Sequence, residues 1–398
     1  MICAGSTNRN IPNRSRGGRL LPSSVRASVD RNQEAFLTDL RRFVETESPT
    51  VDKAACDRAG GYLAGLFAEY AQAEIIRHPQ RRWGDHFEAR VGSGARRILL
   101  LGHFDTVWPI GTIARLPCRV DGDRFTGPGS FDMKYGDLQA AWGLRLVVEA
   151  GALRDRTFVF FGNSEEEVGS PTSRPIIERL ARESECVFVL EPSVGAAGAV
   201  KLWRKGVGMY RLEVEGVASH AGADPEQGRS AVLEMAHQII DLHRLNDAAK
   251  GTTVNVGVVR GGTRPNVVAA HAEAEIDLRV RTADEARRAD ERILSRPTFV
   301  NGTTVRARGA LNRPPMEETP ASRRLYEKAR RLAAEEEFDL PAGGTGGGSD
   351  GNFTAALGVP TLDGLGAVGD GGHADHEHVR VSTIAPRLAW FTRLLMEV

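Results

Sequence analysis

The chain has 398 residues, more than twice the roughly 150 residues of an average domain, so the length favours two domains or one domain with a large insertion. Its 52 Lys and Arg balance 52 Asp and Glu, which argues against a nucleic-acid or anionic-membrane partner. No stretch approaches the roughly 18 apolar residues of a membrane span. The four cysteines, Cys3, Cys56, Cys118 and Cys186, are widely spaced, which favours a reduced, cytoplasmic setting over disulfides or a thiolate zinc site.

Residues 1–28 are distinct in composition, because they contain five arginines and several serines but no acidic residue. A disordered extension is the favoured interpretation, since an amphipathic periodicity is lacking. Organellar targeting by this segment is the alternative.

From residue 29 to residue 195 the pattern alternates between helix and strand. Helical periodicity covers 31–46, 54–69, 135–150 and 174–182, and short apolar runs at 98–101, 157–161 and 187–190 predict strands buried on both faces. This succession predicts the first part of an α/β catalytic domain with a doubly wound sheet.

The pattern changes at residue 196. Alternating segments at 208–215, 252–259 and 272–280, with helices at 231–242 and 283–294, predict an inserted α+β domain over 196–308 whose antiparallel sheet is covered by helices on one face. Helices at 321–336 and 384–396 and an apolar run at 359–362 then predict that residues 309–398 complete the first domain.

Potential metal ligands follow several of the predicted strands, where ligands collect in open α/β sheets. The candidates are His103 and Asp105, Asp132 in a glycine turn, Glu165, Glu166 and Glu167, Glu191, and the imidazoles His373, His376 and His378. Each alone has an ordinary explanation, such as a helix N-cap for Asp132 or a solvated loop for the acidic run. Together they form the carboxylate and imidazole set expected for a pair of zinc ions.

These motifs resemble those of the co-catalytic zinc family that includes acetylornithine deacetylase, succinyl-diaminopimelate desuccinylase, aminoacylases and glutamate carboxypeptidase. The resemblance extends from about residue 29 to the C-terminus and is greatest to glutamate carboxypeptidase. It rests on Asp132 and its turn, Gly102-His103-Phe104-Asp105-Thr106-Val107, Ser164-Glu165-Glu166-Glu167, Ala218-Ser219-His220-Ala221-Gly222 and Gly346-Gly347-Gly348-Ser349-Asp350.

The resemblance implies a role for each of these residues. Asp132 would bridge two zinc ions, for which cobalt or manganese could substitute, with His103 and Glu191 on one ion and Glu167 and His373 on the other. Asp105 would orient His103, and Glu166 would be the general base. The acidic run could shift by one residue, although alignment on Gly169-Ser170 favours Glu166 as the base. Phe131 and Tyr135, beside the metal turn, depart from the family pattern, and we expect them to shape the pocket wall.

The resemblance also assigns residues to the substrate. His220 would reach the substrate carbonyl from the lid domain of a neighbouring subunit, which implies a homodimer. Asn266, Arg279 and the Gly347-Gly348 turn would bind the substrate carboxylate, which an arginine fork suits geometrically. From the residues alone, a structural His220 and a solvent-facing Arg279 remain open.

The predicted function is zinc-dependent hydrolysis of an amide that releases an amino acid with a free carboxylate, as in a glutamate-type carboxypeptidase. Glu191 favours this group, because the family's aminopeptidases and dipeptidases tend to carry aspartate there. The alternatives are an N-acyl-amino-acid deacylase such as acetylornithine deacetylase, and a catalytically idle zinc-binding protein on the same scaffold. A nucleotide-binding oxidoreductase is disfavoured, since no Gly-x-Gly-x-x-Gly follows the first buried strand.

Overall fold

A computed structural model describes residues 22–398, with side chains from residue 24 onward. Most of the predicted extension, residues 1–21, lies outside the described residues. The first helix already begins at Pro22, so residues 22–28 continue into the catalytic domain instead of preceding it. Within the described part of the chain, no helix is long and apolar enough to cross a membrane.

Nine helices occur in the described residues: α1 (Pro22–Glu45), α2 (Lys53–Ala71), α3 (Tyr135–Glu149), α4 (Arg174–Arg182), α5 (Ala231–His243), α6 (Ala283–Leu294), α7 (Pro320–Glu335), α8 (Gly351–Ala356) and α9 (Ile384–Glu397). The strands are β1 (Glu74–His78), β2 (His86–Val91), β3 (Arg96–His103), β4 (Arg119–Asp121), β5 (Arg124–Thr126), β6 (Arg156–Asn163), β7 (Cys186–Val189), β8 (Val200–Arg204), β9 (Gly206–Glu215), β10 (Thr253–Gly261), β11 (His271–Val280), β12 (Thr304–Arg313), β13 (Ala342–Thr345), β14 (Thr361–Leu362), β15 (Gly369–Asp370) and β16 (His378–Arg380).

The catalytic domain is built on a six-stranded mixed sheet in the order β1-β2-β6-β3-β7-β14. The strands β6, β3, β7 and β14 run parallel, and β1 and β2 are antiparallel additions at one edge. Alternate residues of β3 enter two separate cores, with Leu100 facing α1, α2, α3 and α9 and Leu101 facing α4 and α8. The predicted doubly wound sheet is confirmed, and helices cover both of its faces.

Sequence periodicity did not predict β1 and β2, the edge strand of the central sheet and its neighbour. Strand β2 carries Glu88 in a fully buried position, which is unusual for a carboxylate. Arg90 and Arg179 neutralise it, with shortest distances of 2.6 and 2.8 Å to its oxygens. Because Arg179 is distant from Glu88 in sequence, the local pattern around Glu88 does not predict a buried strand.

The inserted domain contains a four-stranded antiparallel sheet in the order β10-β11-β9-β12. Helices α5 and α6 pack on one face and bury Leu212, Ile276 and Ile293. The fold class of this insertion agrees with the prediction, but its sheet begins with β9 at Gly206 and ends with β12 at Arg313, not at 196 and 308. The preceding strand β8 pairs with β13 of the C-terminal segment instead. Strand β12 was missed because its arginines make it polar.

A small antiparallel sheet completes the catalytic domain. Strands β15, β16, β5 and β4 form an antiparallel sheet beside the metal-ligand turn. Cys56, Cys118 and Cys186 are free and buried. Cys3 lies outside the described residues.

Candidate metal centre and active site

The first group of potential ligands gathers His103, Asp132 and Glu191 at the carboxyl edge of the central sheet. His103 is the last residue of β3, and Glu191 follows β7 by two positions. The His103 Nε2 atom lies 3.3 Å from Asp132 Oδ1 and 3.7 Å from Glu191 Oε1. One ligand atom from each residue falls within 4.8 Å of the others, close enough for a single cation to bind all three.

The second group shares Asp132 with the first. His373 Nε2 lies 3.4 Å from Asp132 Oδ2 and 3.1 Å from Glu167 Oε1. The two oxygens of Asp132 therefore face different histidines, Oδ1 toward His103 and Oδ2 toward His373. This is the arrangement by which one carboxylate can bridge two ions.

The donor set fits divalent metal ions. Asp132 Oδ1 is buried and accepts no hydrogen bond from any residue the structure describes. Burial by itself raises the pKa of Asp132, but its interactions with His103 and His373 outweigh that effect and lower the pKa, so the carboxylate remains ionised. Three carboxylates and two imidazoles around one point match the oxygen and nitrogen ligands that zinc, cobalt and manganese accept.

Asp105 lies behind the first group and is fully buried. Its Oδ1 atom is 3.4 Å from His103 Nδ1, whose ring nitrogen also lies 3.1 Å from the Asp105 carbonyl oxygen. The same carboxylate accepts the backbone N–H groups of Glu166 and Glu167 at 3.2 and 3.3 Å. Asp105 thus links the orientation of His103 to the turn that carries the acidic run, a connection that the sequence analysis did not predict.

The three adjacent glutamates point in different directions, which bears on the register of the acidic run. The Glu165 carboxylate turns inward and accepts the Ser173 N–H at 2.8 Å and the Thr172 hydroxyl at 2.9 Å. Glu167 belongs to the second ligand group. Glu166 faces the cavity between the two domains. Glu165 therefore turns away from the cavity that Glu166 and Glu167 both line, and the assignment of the base to Glu166 stays a prediction.

Glu166 has a partner that the sequence analysis missed. Arg313, at the end of the lid strand β12, donates to Glu166 Oε1 at 2.6 Å and to Asp350 Oδ1 at 2.9 Å. Burial raises the pKa of Glu166, and the charge of Arg313 opposes that increase. A Cβ atom on Gly348 would lie 2.7 Å from Arg313 Cδ, so glycine at 348 leaves room for the arginine. No local signal connects Arg313 to Glu166, because they are 147 positions apart.

Glu377 holds the turn that presents Asp132. Its Oε1 atom accepts the N–H groups of Phe131 and Asp132 at 2.9 and 3.1 Å. Its Oε2 atom accepts the Gly129 N–H at 2.9 Å and the Trp108 indole N–H at 2.7 Å. The side chain is fully buried, so all four donors depend on this one carboxylate.

Both ligand groups open into a cavity of about 1290 Å³ between the catalytic and inserted domains. Phe131 lines this cavity, in agreement with its predicted place in the pocket wall. Tyr135 does not: its side chain is 1% exposed and packs edge-on against Phe36 with ring centroids 5.5 Å apart. The expectation for Tyr135 was wrong, because the residue lies in helix α3 on the face toward the core.

The predicted substrate-binding residues divide into two sets. Arg279, Gly347 and Gly348 line the cavity, and Arg279 Nη1 donates to the Gly346 carbonyl at 3.4 Å. His220 and Asn266 lie on two neighbouring loops of the inserted domain, joined by the Ala221 N–H to Asn266 carbonyl hydrogen bond at 3.0 Å, and neither lines the cavity. The buried Arg204 guanidinium lies beside the Gly347-Gly348 turn. It donates to the Gly348 carbonyl at 2.9 Å and lies 3.0 Å from Glu191 Oε2.

This fold and this ligand arrangement define a metal-dependent hydrolase. The model of Peptidase family M20/M25/M40 matches residues 99–397, and the chain belongs to that family. Carboxypeptidase G2 from Pseudomonas sp. (strain RS-16) is 29% identical over 379 residues, which cover 92% of this chain and 90% of that protein. Acetylornithine deacetylase from Shigella sonnei (strain Ss046) is 26% identical over 264 residues, covering 61% of this chain and 67% of that enzyme.

Solved structures have the same fold. The aminopeptidase PepT from Bacillus cereus ATCC 10987 superposes with a TM-score of 0.74 at 20% identity and covers 92% of this chain and 98% of its own. The M20 family metallo-carboxypeptidase Sso-CP2 from Sulfolobus solfataricus gives a TM-score of 0.68 at 14% identity, over 91% and 98% of the two chains. The family resemblance and the predicted fold are therefore confirmed, and the chain is a metallopeptidase or amidohydrolase.

Proposed function

We propose that this protein is a two-zinc amidohydrolase that releases an amino acid with a free carboxylate, most similar in action to a glutamate-type carboxypeptidase. The observation that carries the proposal is the position of Asp132 between two ligand groups, with Glu166 lining the same cavity. His103 and Glu191 would hold one ion, and Glu167 and His373 the other. Cobalt or manganese would satisfy the same donors.

Zinc ions held by these residues would act as Lewis acids and would lower the pKa of a bound water to near 7. Glu166 takes up the proton of the attacking water and delivers it to the leaving amine. Its position supports this role, because Glu166 lines the cavity next to the proposed ligand Glu167, within reach of a water bound there. Arg313 holds Glu166 in place at 2.6 Å, and Asp105 fixes the backbone of the same turn.

The carboxylate of the released amino acid would bind on the lid side of the cavity. Arg279 lines this side and is half-buried, with its Nε donating to Asp277 and its terminal nitrogens toward the Gly346 carbonyl. An arginine fork at this position suits a carboxylate. The similarity to the relative named carboxypeptidase G2 also supports a substrate with a free C-terminal carboxylate.

A deacylase is the second candidate, because the relative from Shigella sonnei is named acetylornithine deacetylase. The same proton transfer by Glu166 would serve both reactions. The two functions differ only in the acyl group that the cavity accepts. An idle binding protein is not favoured, since Glu166 and all five proposed ligands are retained.

We further propose that the enzyme is a homodimer in which His220 acts on the partner's site. The His220 ring lies on a lid loop, where its Nδ1 accepts the Ala223 N–H at 3.0 Å, and it does not line the cavity of its own chain. Asn266 lies on the adjacent loop, where its carbonyl accepts the Ala221 N–H at 3.0 Å, and would contribute in the same way. We retain a cytoplasmic location as a prediction that cell fractionation would test.

One experiment tests the proposed activity. The purified protein, with zinc, cobalt or manganese added and its metal content measured, would be assayed on N-acyl-glutamates, N-acyl derivatives of other amino acids and N-acetylornithine. We expect metal-dependent release of free amino acid, with the highest specificity constant on an acyl-glutamate. Preference for N-acetylornithine would favour the deacylase, and absence of hydrolysis with metal bound would contradict both candidates.

A further inference from the structure

One part of the active-site cavity, here called the wing, is lined by strands β5, β15 and β16 of the small antiparallel sheet. Three basic residues of this sheet, Arg124, His378 and Arg380, line the cavity, together with the single carboxylate Asp370. Phe131 also lines the cavity and packs against Gly369 of the same sheet. Phe131 directly precedes Asp132 in the chain. The wing therefore begins at the metal ligands.

Two of the arginines lie opposite each other. Arg380 and Arg124 are cross-strand partners on β16 and β5, an arrangement that places like charges side by side on one face. Asp123 neutralises Arg380 at 3.3 Å, and the Arg380 Nη1 atom also donates to the Ala196 carbonyl at 3.1 Å. Two of the three Arg380 guanidinium nitrogens therefore already have partners.

Arg124 has no such partner. Within residues 24–398, its side chain forms no hydrogen bond or ion pair, although Asp121 is its cross-strand neighbour on β4. Asp370, the other acidic residue of the wing, accepts the Gly371 N–H at 2.8 Å. Arg124 is thus an exposed arginine that lines the cavity and whose guanidinium has no protein partner within the described residues.

We infer that this wing is the binding subsite for the acyl part of the substrate, and that it selects an acyl group with an apolar stem and a terminal carboxylate. Phe131 would contact the stem next to the scissile bond. Arg124 would bind the terminal carboxylate, since a guanidinium fork and a carboxylate match in geometry and charge. The size of the cavity, about 1290 Å³, accommodates an acyl group much larger than acetyl.

This inference rests on the proposed amide hydrolysis and adds the chemistry of the acyl group. Arg279, on the inserted domain, would bind the carboxylate of the released amino acid. Arg124, in the wing, would bind a second carboxylate at the end of the acyl group. The substrate would then be anionic at both ends.

The test compares two substrates of equal size. N-glutaryl-glutamate and its analogue with the terminal glutaryl carboxylate converted to an amide differ only in the charge at the far end of the acyl group. We expect the metal-loaded native enzyme to prefer the carboxylate form by roughly tenfold in kcat/KM, as one charge-assisted hydrogen bond provides. The preference should decrease as salt is added.

Three variants make the assignment specific. Arg124→Gln should bring the ratio of the two specificity constants close to one, and Arg124→Glu should invert it in favour of the amide. Arg119→Gln is the matched control, because Arg119 is an exposed arginine of the same small sheet that does not line the cavity. It should keep the native ratio.

The outcomes separate the inference from the proposed function. Hydrolysis of both substrates at equal efficiency, or a preference that survives Arg124→Gln, would overturn the acyl subsite while leaving the amidohydrolase intact. Loss of the preference in Arg119→Gln as well would assign it to the general charge of the sheet and overturn the role of Arg124. Hydrolysis of neither substrate by enzyme that cleaves other N-acyl amino acids would also overturn the subsite. Inactivity on every amide would overturn both.

Discussion

The carboxylate of Glu377 accepts the backbone N–H of Asp132 at 3.1 Å, so a residue near the C-terminus fixes the turn that presents the proposed bridging ligand. Each of its two oxygens serves two donors. In Glu377→Gln, the amide nitrogen must face two N–H groups in either orientation and leave them without an acceptor. We expect the free energy of unfolding to fall by about 2 kcal/mol or more, with weaker metal retention.

Urea denaturation and metal titration would measure both effects. The control is Trp108→Phe, which removes only one of the four donors and should cost less. Metal affinity unchanged in Glu377→Gln would show that the turn keeps its geometry without the carboxylate.

Glu166→Gln should lower turnover at least about 10²-fold while metal content stays near normal, because the shape is retained and the proton acceptor is lost. The adjacent Glu165→Gln is a matched control. Glu165 is buried against Thr172 and Ser173, so this variant should lose stability but keep its turnover per folded molecule. Comparable activity of the Glu166 variant, with metal content verified, would contradict its assignment as the base.

His220 is expected to act across subunits. Inactive Glu166→Gln chains and inactive His220→Ala chains, mixed and allowed to exchange, should regain activity, because one site of a mixed dimer then contains both intact residues. Native mass spectrometry would verify the mixed dimer. Mixed dimers that recover no turnover would count against action in trans.

His86 should make the protein less stable in acid. Burial lowers the pKa of His86 to about 4, and its ring is neutral, with Nε2 2.9 Å from the Thr172 hydroxyl and Nδ1 accepting the Ser164 N–H. The unfolded chain, with a histidine pKa of about 6.5, binds the proton first as the pH falls. The contribution of neutral His86 to the free energy of unfolding should therefore be fully present above about pH 6.5. It should decrease by about 3 kcal/mol by pH 4.

The measurement is the free energy of unfolding from urea denaturation between pH 7 and pH 4. His86→Gln should flatten its pH dependence, whereas His243→Gln, at an exposed position, should not. Parallel profiles for the native protein and His86→Gln would show that other groups cause the acid sensitivity.

Much of the fold could be predicted from the sequence because its signals are local. The strands β3, β6 and β7 are apolar runs buried on both faces, and such runs identify a doubly wound sheet without knowledge of their neighbours. Strand β2 was missed for the opposite reason, since its buried Glu88 is neutralised in part by Arg179 from a distant helix.

The proposed metal ligands could be named from the sequence, because they follow strand ends and family-like motifs that leave a local trace in the chain, and the structure brings them together in two groups that could each hold an ion. What only the tertiary structure decided is which groups surround them. Arg313 reaches Glu166 across 147 positions, and Glu377 reaches Asp132 across 245. Tyr135 turned out to be a core residue because helix α3 directs it toward Phe36. A sequence shows residue types and their local spacing, whereas the charge balance and burial of a site depend on contacts between distant segments, which exist only after the chain has folded.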